Sequence, residues 1–67
     1  MAADAGSAKS ELSVISDHVE RYRERVVGLV PSLSGGRHDD AIAAIYEAER
    51  ALRTATRALD RAVKLLR

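Results

Sequence analysis

Few residues of this 67-residue chain have side chains that could take part in catalysis or bind a metal ion. His18 and His38 are its two imidazoles, cysteine is absent, and His38 stands directly before Asp39 and Asp40. A structural metal site needs about four converging ligands, and a catalytic one about three plus water. No further ligand stands at a useful spacing. We therefore predict a polar helix start at 38–40, a solvated His18, and a protein with no metal, no cofactor and no enzymatic activity.

Gly35 and Gly36 are a second feature that could suggest chemistry, because glycine-rich loops bind phosphate. A phosphate loop follows a strand and continues into Gly-Lys-Ser/Thr, and neither condition holds here. Adjacent glycines shortly after Pro31 instead permit positive φ angles and a tight reversal of the chain. We interpret this segment as a turn and expect no small-molecule substrate.

A row of basic residues marks the second half of the chain. Arg50, Arg57 and Lys64 recur every seven residues, with Arg53 beside them. On a helix they would form a basic ridge able to contact the phosphates of a nucleic acid. The formal net charge is only +1, and no aromatic residues are interleaved for base stacking. We prefer a solvated helix face, and keep as the alternative a small nucleic-acid-binding protein that uses Arg50, Arg53, Arg57 and Lys64.

Two helices must position these residues, as apolar side chains at alternating spacings of three and four indicate. The first row comprises Leu12, Ile15, Val19, Tyr22, Val26, Leu29 and Leu33. The second row comprises Ile45, Ala48, Leu52, Ala55, Leu59, Ala62 and Leu66. Between the rows, Pro31 removes a backbone donor and disfavours helical geometry in the preceding residue. The pattern predicts an all-α fold with two helices.

The predicted boundaries are a flexible N-terminal segment over 1–9, helix 1 over about 10–30, a turn over 31–38 and helix 2 over about 39–67. Residues 10–67 then form one helical hairpin. The connection is short enough to make the helices antiparallel. Each helix is acidic near its beginning and basic near its end, and this distribution favours the same orientation.

A hairpin of this size cannot enclose much of a core, because a domain of about 60 residues buries only about 60% of its unfolded surface. Without disulfides or a metal, association is the expected stabiliser. We predict that the hairpin completes a four-helix bundle with a second copy or with a helical segment of a larger protein. The predicted partner-binding residues are Leu12, Ile15, Val19, Tyr22, Val26, Leu29, Ile42, Ile45, Leu52, Leu59, Val63 and Leu66.

Composition limits the cellular compartments that need to be considered. The N-terminus lacks a basic segment followed by an apolar one, and no apolar run approaches the roughly 18–20 residues that span a bilayer. We expect a cytoplasmic protein that does not act at membranes, with signal-less secretion left open. The expected role is that of a non-enzymatic interaction module, a small helical adaptor or a secretion or targeting partner.

The turn carries a resemblance to a known family. Leu33-Ser34-Gly35 stands where a Trp-x-Gly turn stands in the small helical-hairpin proteins of type VII secretion systems, with Leu33 in place of the Trp. Most of the chain resembles that architecture, and also the short hairpin proteins encoded beside actinobacterial polymorphic toxins. Arg50 stands where the export signal of the family has an acidic residue, four positions after Tyr46. The resemblance implies a four-helix homodimer or heterodimer that acts as a secretion partner or targeting chaperone.

Overall fold

Two long helices and a short 3₁₀ helix make up the computed structural model, which describes residues 4–66. Helix α1 spans Ala5–Gly28, the 3₁₀ helix spans Val30–Leu33, and helix α2 spans Asp39–Leu65. Residues 4–66 contain no strand. The prediction of an all-α chain with two helices is therefore confirmed.

Helix α1 begins earlier than the sequence pattern predicted. Its N-cap is Asp4, whose carboxylate accepts a hydrogen bond of 2.7 Å from the backbone N–H of Ser7. An aspartate at this position satisfies a donor that the first helical turn would otherwise leave unpaired. The predicted start at about residue 10 was wrong, since residues 5–9 are helical rather than a flexible segment. The rest of that predicted segment, residues 1–3, lies outside the described residues.

The turn contains both the proline and the two glycines. Helix α1 ends at Gly28, two residues before the predicted end, and Pro31 lies in the first turn of the 3₁₀ helix. Gly35 and Gly36 have φ angles of 133° and 89°, a region in which side chains other than glycine are strained. Together these residues reverse the chain over a short distance and bring α2 back along α1.

Helix α2 starts with two acidic residues and runs without interruption. Asp39 and Asp40 lie in its first turn, where negative charge is favoured by the helix dipole. The helix ends at Leu65, and Leu66 has an extended backbone. The predicted helix end at 67 was therefore too late for Leu66, and residue 67 lies outside the described part of the chain.

The two long helices pack side by side in opposite directions. The Ser16 hydroxyl near the middle of α1 donates to Asp60 near the end of α2, whereas Arg23, further along α1, donates to Glu49 nearer the start of α2. This order of contacts is that of an antiparallel pair. The molecule extends 52 × 18 × 15 Å, so it is a long two-helix hairpin with a single layer of contact between its helices.

Candidate interaction surface

The seam where α1 and α2 meet contains polar as well as apolar side chains. Its residues are partly or fully shielded from solvent and follow the spacing of three and four. On α1 and the 3₁₀ helix they are Leu12, Ser16, Val19, Arg23, Val26 and Val30, and on α2 and its C-cap they are Ile42, Ile45, Glu49, Leu52, Thr56, Leu59, Val63 and Leu66. Ser16 and Glu49, each 6% exposed, are the two most shielded of these residues. Polar contacts therefore occupy the best-protected points between the helices.

Arg23 and Glu49 form the centre of a charged cluster at the seam. The guanidinium of Arg23 donates to Glu49 Oε2 at 2.7 Å and to both carboxylate oxygens of Glu20. Arg53 donates to the same Glu49 oxygen at 2.6 Å. Two arginines thus neutralise two glutamates, and one link of the cluster joins α1 to α2. This link is one instance of the predicted pairing between the basic end of α1 and the acidic beginning of α2.

These contacts shift the protonation of the carboxyl groups in the cluster. Hydrogen bonding by Arg23 lowers the pKa of Glu49 and of Glu20, and the positive charge of Arg53 acts in the same direction on both. In return, the two carboxylates raise the pKa of Arg23. All three groups are therefore held in their charged forms at neutral pH, as a structural ion cluster requires and a proton-transfer site does not.

A second polar contact crosses the seam nearer the open end of the hairpin. The Ser16 hydroxyl donates to Asp60 Oδ1 at 2.7 Å. Thr56, also in the seam, donates within its own helix to the Leu52 carbonyl oxygen at 3.0 Å. Among residues 4–66, no fully shielded side-chain nitrogen or oxygen lacks a hydrogen-bond partner. The fully shielded polar side-chain atoms of the described residues are thus paired within the hairpin.

An apolar row of α1 lies outside the seam and is not covered by α2. Ile15, Tyr22 and Leu29, spaced seven apart, are exposed, Tyr22 by 55% and Leu29 by 58%. We call these three residues the ridge. Shallow apolar depressions border it, one beside Tyr22, Val26 and Leu29 and another beside Ile15. The ridge therefore presents large apolar side chains to whatever lies beside α1.

Helix α2 carries a matching row of small residues. This row, which we call the groove, consists of Ala44, Ala48, Ala51, Ala55, Ala58 and Ala62, and all but Ala62 are exposed. At 100° per residue, the ridge lies about 80° from the seam around α1, and the groove about 100° from the seam in the same rotational sense around α2. Because the helices are antiparallel and face each other, displacement in the same sense places ridge and groove on one side of the hairpin.

The opposite side of the hairpin is polar and charged. It carries acidic residues of α1 and the basic residues of α2, and the ion cluster lies between this side and the seam. All four predicted nucleic-acid contacts, Arg50, Arg53, Arg57 and Lys64, are exposed, and Arg53 is also bonded to Glu49. Asp17 of α1 and Lys64 line the same shallow depression. The row of basic residues on α2 is thus interrupted by carboxylates, which weakens the case for phosphate binding.

The two histidines lie apart from each other and are both exposed. His18 is on α1 at the outer edge of the ridge, and His38 is the N-cap of α2 without a side-chain capping bond. Across residues 4–66, no group of three or more His, Cys, Asp or Glu side chains is placed to hold a metal ion. The fold does not bring His38 together with a set of ligands.

The predicted partner-binding residues separate into two groups. Ile15, Tyr22 and Leu29 are exposed and available to a partner. The other nine line the seam within the hairpin and are only partly shielded: Leu12, Val19, Val26, Ile42, Ile45, Leu52, Leu59, Val63 and Leu66. No apolar side chain in residues 4–66 is buried. The hairpin alone therefore leaves every apolar residue of its seam in partial contact with water.

The total surface area also shows that the hairpin shields little of its surface from water. The hairpin exposes 5287 Å², whereas a compact monomer of its 7.3 kDa mass would expose about 4,200 Å². Its radius of gyration of 15.8 Å likewise exceeds the roughly 11 Å expected for a compact chain of this length. The excess surface, about 1,100 Å², is comparable to the roughly 800 Å² that each partner contributes to a standard interface.

Sequence reasoning missed the polar residues of the seam. Ser16 and Arg23 on α1, and Glu49 and Thr56 on α2, are each spaced seven apart, so the signal was present as a second row with the same period. Their pairing depends on which residues of the two helices lie at equal height, and the sequence pattern does not give that relation.

None of the helices in residues 4–66 has the length and apolar character needed to cross a bilayer.

Comparison with known proteins identifies no relative. No protein-family model matches the chain, and neither a curated protein nor a solved structure is significantly similar to it.

Proposed function

We propose that this chain is a non-enzymatic protein–protein interaction module, which completes a helical bundle with another protein chain through its apolar side. The observation that carries the proposal is the absence of any buried apolar residue between positions 4 and 66. A small adaptor, or a secretion or targeting partner, would use this surface in the same way.

A partner would stabilise the hairpin because the hairpin alone leaves its seam half exposed to water. Burial of apolar surface contributes about 25 cal/mol per Å², and ordering the backbone costs about 1–2 kcal/mol per residue. A single layer of contact between two helices recovers little of that cost. A second chain over the ridge and groove would shield Leu52 and Leu59 from the side that the hairpin leaves open, and would cover the ridge itself.

The chemistry of the remaining surface is consistent with this role. The charged cluster is neutralised internally, and the carboxyl groups in it have lowered pKa values, which suits structure rather than catalysis. The described residues contain no group of three or more His, Cys, Asp or Glu side chains placed to hold a metal ion. The nucleic-acid alternative rests on basic residues that share their side of the hairpin with carboxylates, so we rank it second.

The test is light scattering coupled to size exclusion, with far-UV circular dichroism on the same sample. A helical species larger than 7.3 kDa would support the proposal, with copies of the chain as partners. A weakly helical monomer would also support it, because the hairpin would then fold only on another chain. A strongly helical monomer that unfolds cooperatively would contradict it, since such a hairpin needs no partner.

A further inference from the structure

The ridge and the groove have the same repeat along the hairpin. Ile15 and Tyr22 of α1 and its C-cap residue Leu29 recur every seven residues, and the alanine pairs 44/48, 51/55 and 58/62 recur every seven residues on α2. Large side chains at one spacing and small ones at the same spacing are the two halves of a knobs-into-holes contact. Within one hairpin they lie side by side on the same surface, so they cannot contact each other there.

The heights of these residues are fixed by the contacts across the seam. The Ser16–Asp60 and Arg23–Glu49 hydrogen bonds place Tyr22 level with Leu52, and by extension Ile15 level with Leu59 and Leu29 level with Ile45. Tyr22 is thus level with the alanine pair 51/55. By the same relation, Ile15 is level with the pair 58/62 and Leu29 with the pair 44/48.

We propose that the partner on this surface is a second copy of the chain, related by a two-fold axis parallel to the helices. This proposal rests on the proposed function and specifies its partner and geometry. The axis places α1 of each copy over α2 of the other, antiparallel to it, and leaves heights unchanged. Each knob of one ridge then enters the alanine pair at its own height on the other copy, and the three layers match along the whole contact.

The charged residues beside the ridge and the groove complement each other in this arrangement. The outer edge of the ridge carries Arg25, and the outer edge of the groove carries Glu47, both exposed. By the same height relation, Arg25 meets Glu47 of the second copy. Neither residue takes part in an ion pair within residues 4–66. A pair of opposite charge at each contact favours the second copy and its orientation.

The other two-fold axis that stacks these surfaces runs across the helices. It would lay α1 on α1 and α2 on α2, so that large side chains met large ones and alanines met alanines. The two helix separations between the copies would then differ. The axis parallel to the helices pairs large with small in every layer, and symmetry makes the two contacts between the copies identical.

Single cysteines test this geometry, because the chain contains no cysteine of its own. A disulfide forms where two Cα atoms come within about 7 Å. We would prepare Tyr22→Cys and Ala51→Cys separately, mix them, let the dimers exchange and then oxidise. Ile15→Cys mixed with Ala58→Cys tests the same relation one layer away. The control mixes Ile15→Cys with Ala44→Cys, which the proposal separates by about 14 residues of helix, or about 21 Å.

The expected result is a covalent dimer from each of the first two mixtures at severalfold the yield of either variant oxidised alone, and little from the control. A covalent dimer from Ile15→Cys mixed with Tyr22→Cys, without one from Tyr22→Cys and Ala51→Cys, would overturn the proposed axis. A monomer by light scattering would overturn the second copy as the partner. If that monomer were weakly helical, the interaction module of the proposed function would still stand, so the two failures are distinguishable.

Discussion

Tyr22 and Tyr46 offer a matched pair of substitutions, because both are exposed tyrosines on opposite sides of the hairpin. Tyr22 belongs to the ridge and is 55% exposed, whereas Tyr46 is 44% exposed on the charged side. If a second copy covers the ridge, Tyr22→Ala removes surface that the dimer buries. Tyr46→Ala removes a similar side chain that stays in water in both the free and the associated chain.

The size of the effect follows from the area involved. A buried aromatic side chain removes about 150–250 Å² from water, so the exposed part of Tyr22 represents about 100 Å² per copy. At about 25 cal/mol per Å² this burial contributes about 2.5 kcal/mol. A symmetric dimer contains two such sites, so Tyr22→Ala is expected to raise the dimer Kd by about three to four orders of magnitude. We expect Tyr46→Ala to change it by less than about threefold.

Sedimentation equilibrium over a dilution series measures both dimer constants, and circular dichroism at the highest concentration checks that each variant is helical. Alanine has a higher helix propensity than tyrosine, so a loss of association cannot be attributed to a weaker helix. The cation–π contact between Arg25 and Tyr22, at 5.8 Å, is lost too, but at an exposed site it contributes only about 0.5–1 kcal/mol. Equal dimer constants for the two variants would refute the assignment of the ridge to the interface.

Three further predictions concern the ion cluster, the turn and the basic residues. Because the pKa of Glu49 is lowered in the folded chain, its contribution to stability is complete above its unfolded pKa of about 4.3 and is lost as the pH falls through the lower folded value. Thermal unfolding should show Tm falling in acid. The fall should be smaller for Glu49→Gln. For Glu24→Gln, which replaces an exposed glutamate outside the ion cluster, it should equal that of the unmodified chain. Gly36→Ala should destabilise the chain by about 1–2 kcal/mol through its φ of 89°, whereas Gly28→Ala should be neutral or stabilising by about 0.4–1 kcal/mol, both by urea unfolding. In a gel-shift assay at low salt, the chain should not retard duplex DNA. The DNA should have the same mobility with the Arg57→Glu variant.

Each of these predictions has a contradicting outcome. The same acid profile in Glu49→Gln as in the unmodified chain would mean that the cluster does not contribute to stability. Equal effects of the two glycine substitutions would show that the positive φ at the turn carries no cost. A retarded DNA band that disappears with added salt would restore the nucleic-acid alternative.

The two-helix organisation could be predicted because each helix carries a long row of apolar residues and the turn carries strong breaking signals. Pro31 and the glycine pair at 35–36 end one helix and reverse the chain for local steric reasons, so neighbouring residues suffice to place the turn. The start of α1 was placed too late because Asp4 precedes the first large apolar residue of the row by eight positions, and its capping role depends on a single short hydrogen bond to Ser7.

The choice of seam could not be predicted from the apolar pattern alone. Ile15 and Ser16 are neighbours, and rows of the same period pass through both of them. An apolar pattern favours the row with Ile15, Tyr22 and Leu29, yet the seam follows the row with Ser16 and Arg23, whose side chains bond to Asp60 and Glu49. The apolar row is then left exposed, and its placement beside the alanine groove appears only in the folded hairpin.

The most direct test of the central claim is the dependence of thermal unfolding on protein concentration, followed by circular dichroism. A hairpin whose core is completed by a second copy unfolds with dissociation, so its Tm should rise steadily over about a hundredfold increase in concentration. Tyr22→Ala should lower Tm most at the dilute end. A fully helical chain whose Tm is the same at every concentration would contradict the account, because the hairpin would then be stable with its apolar side in water.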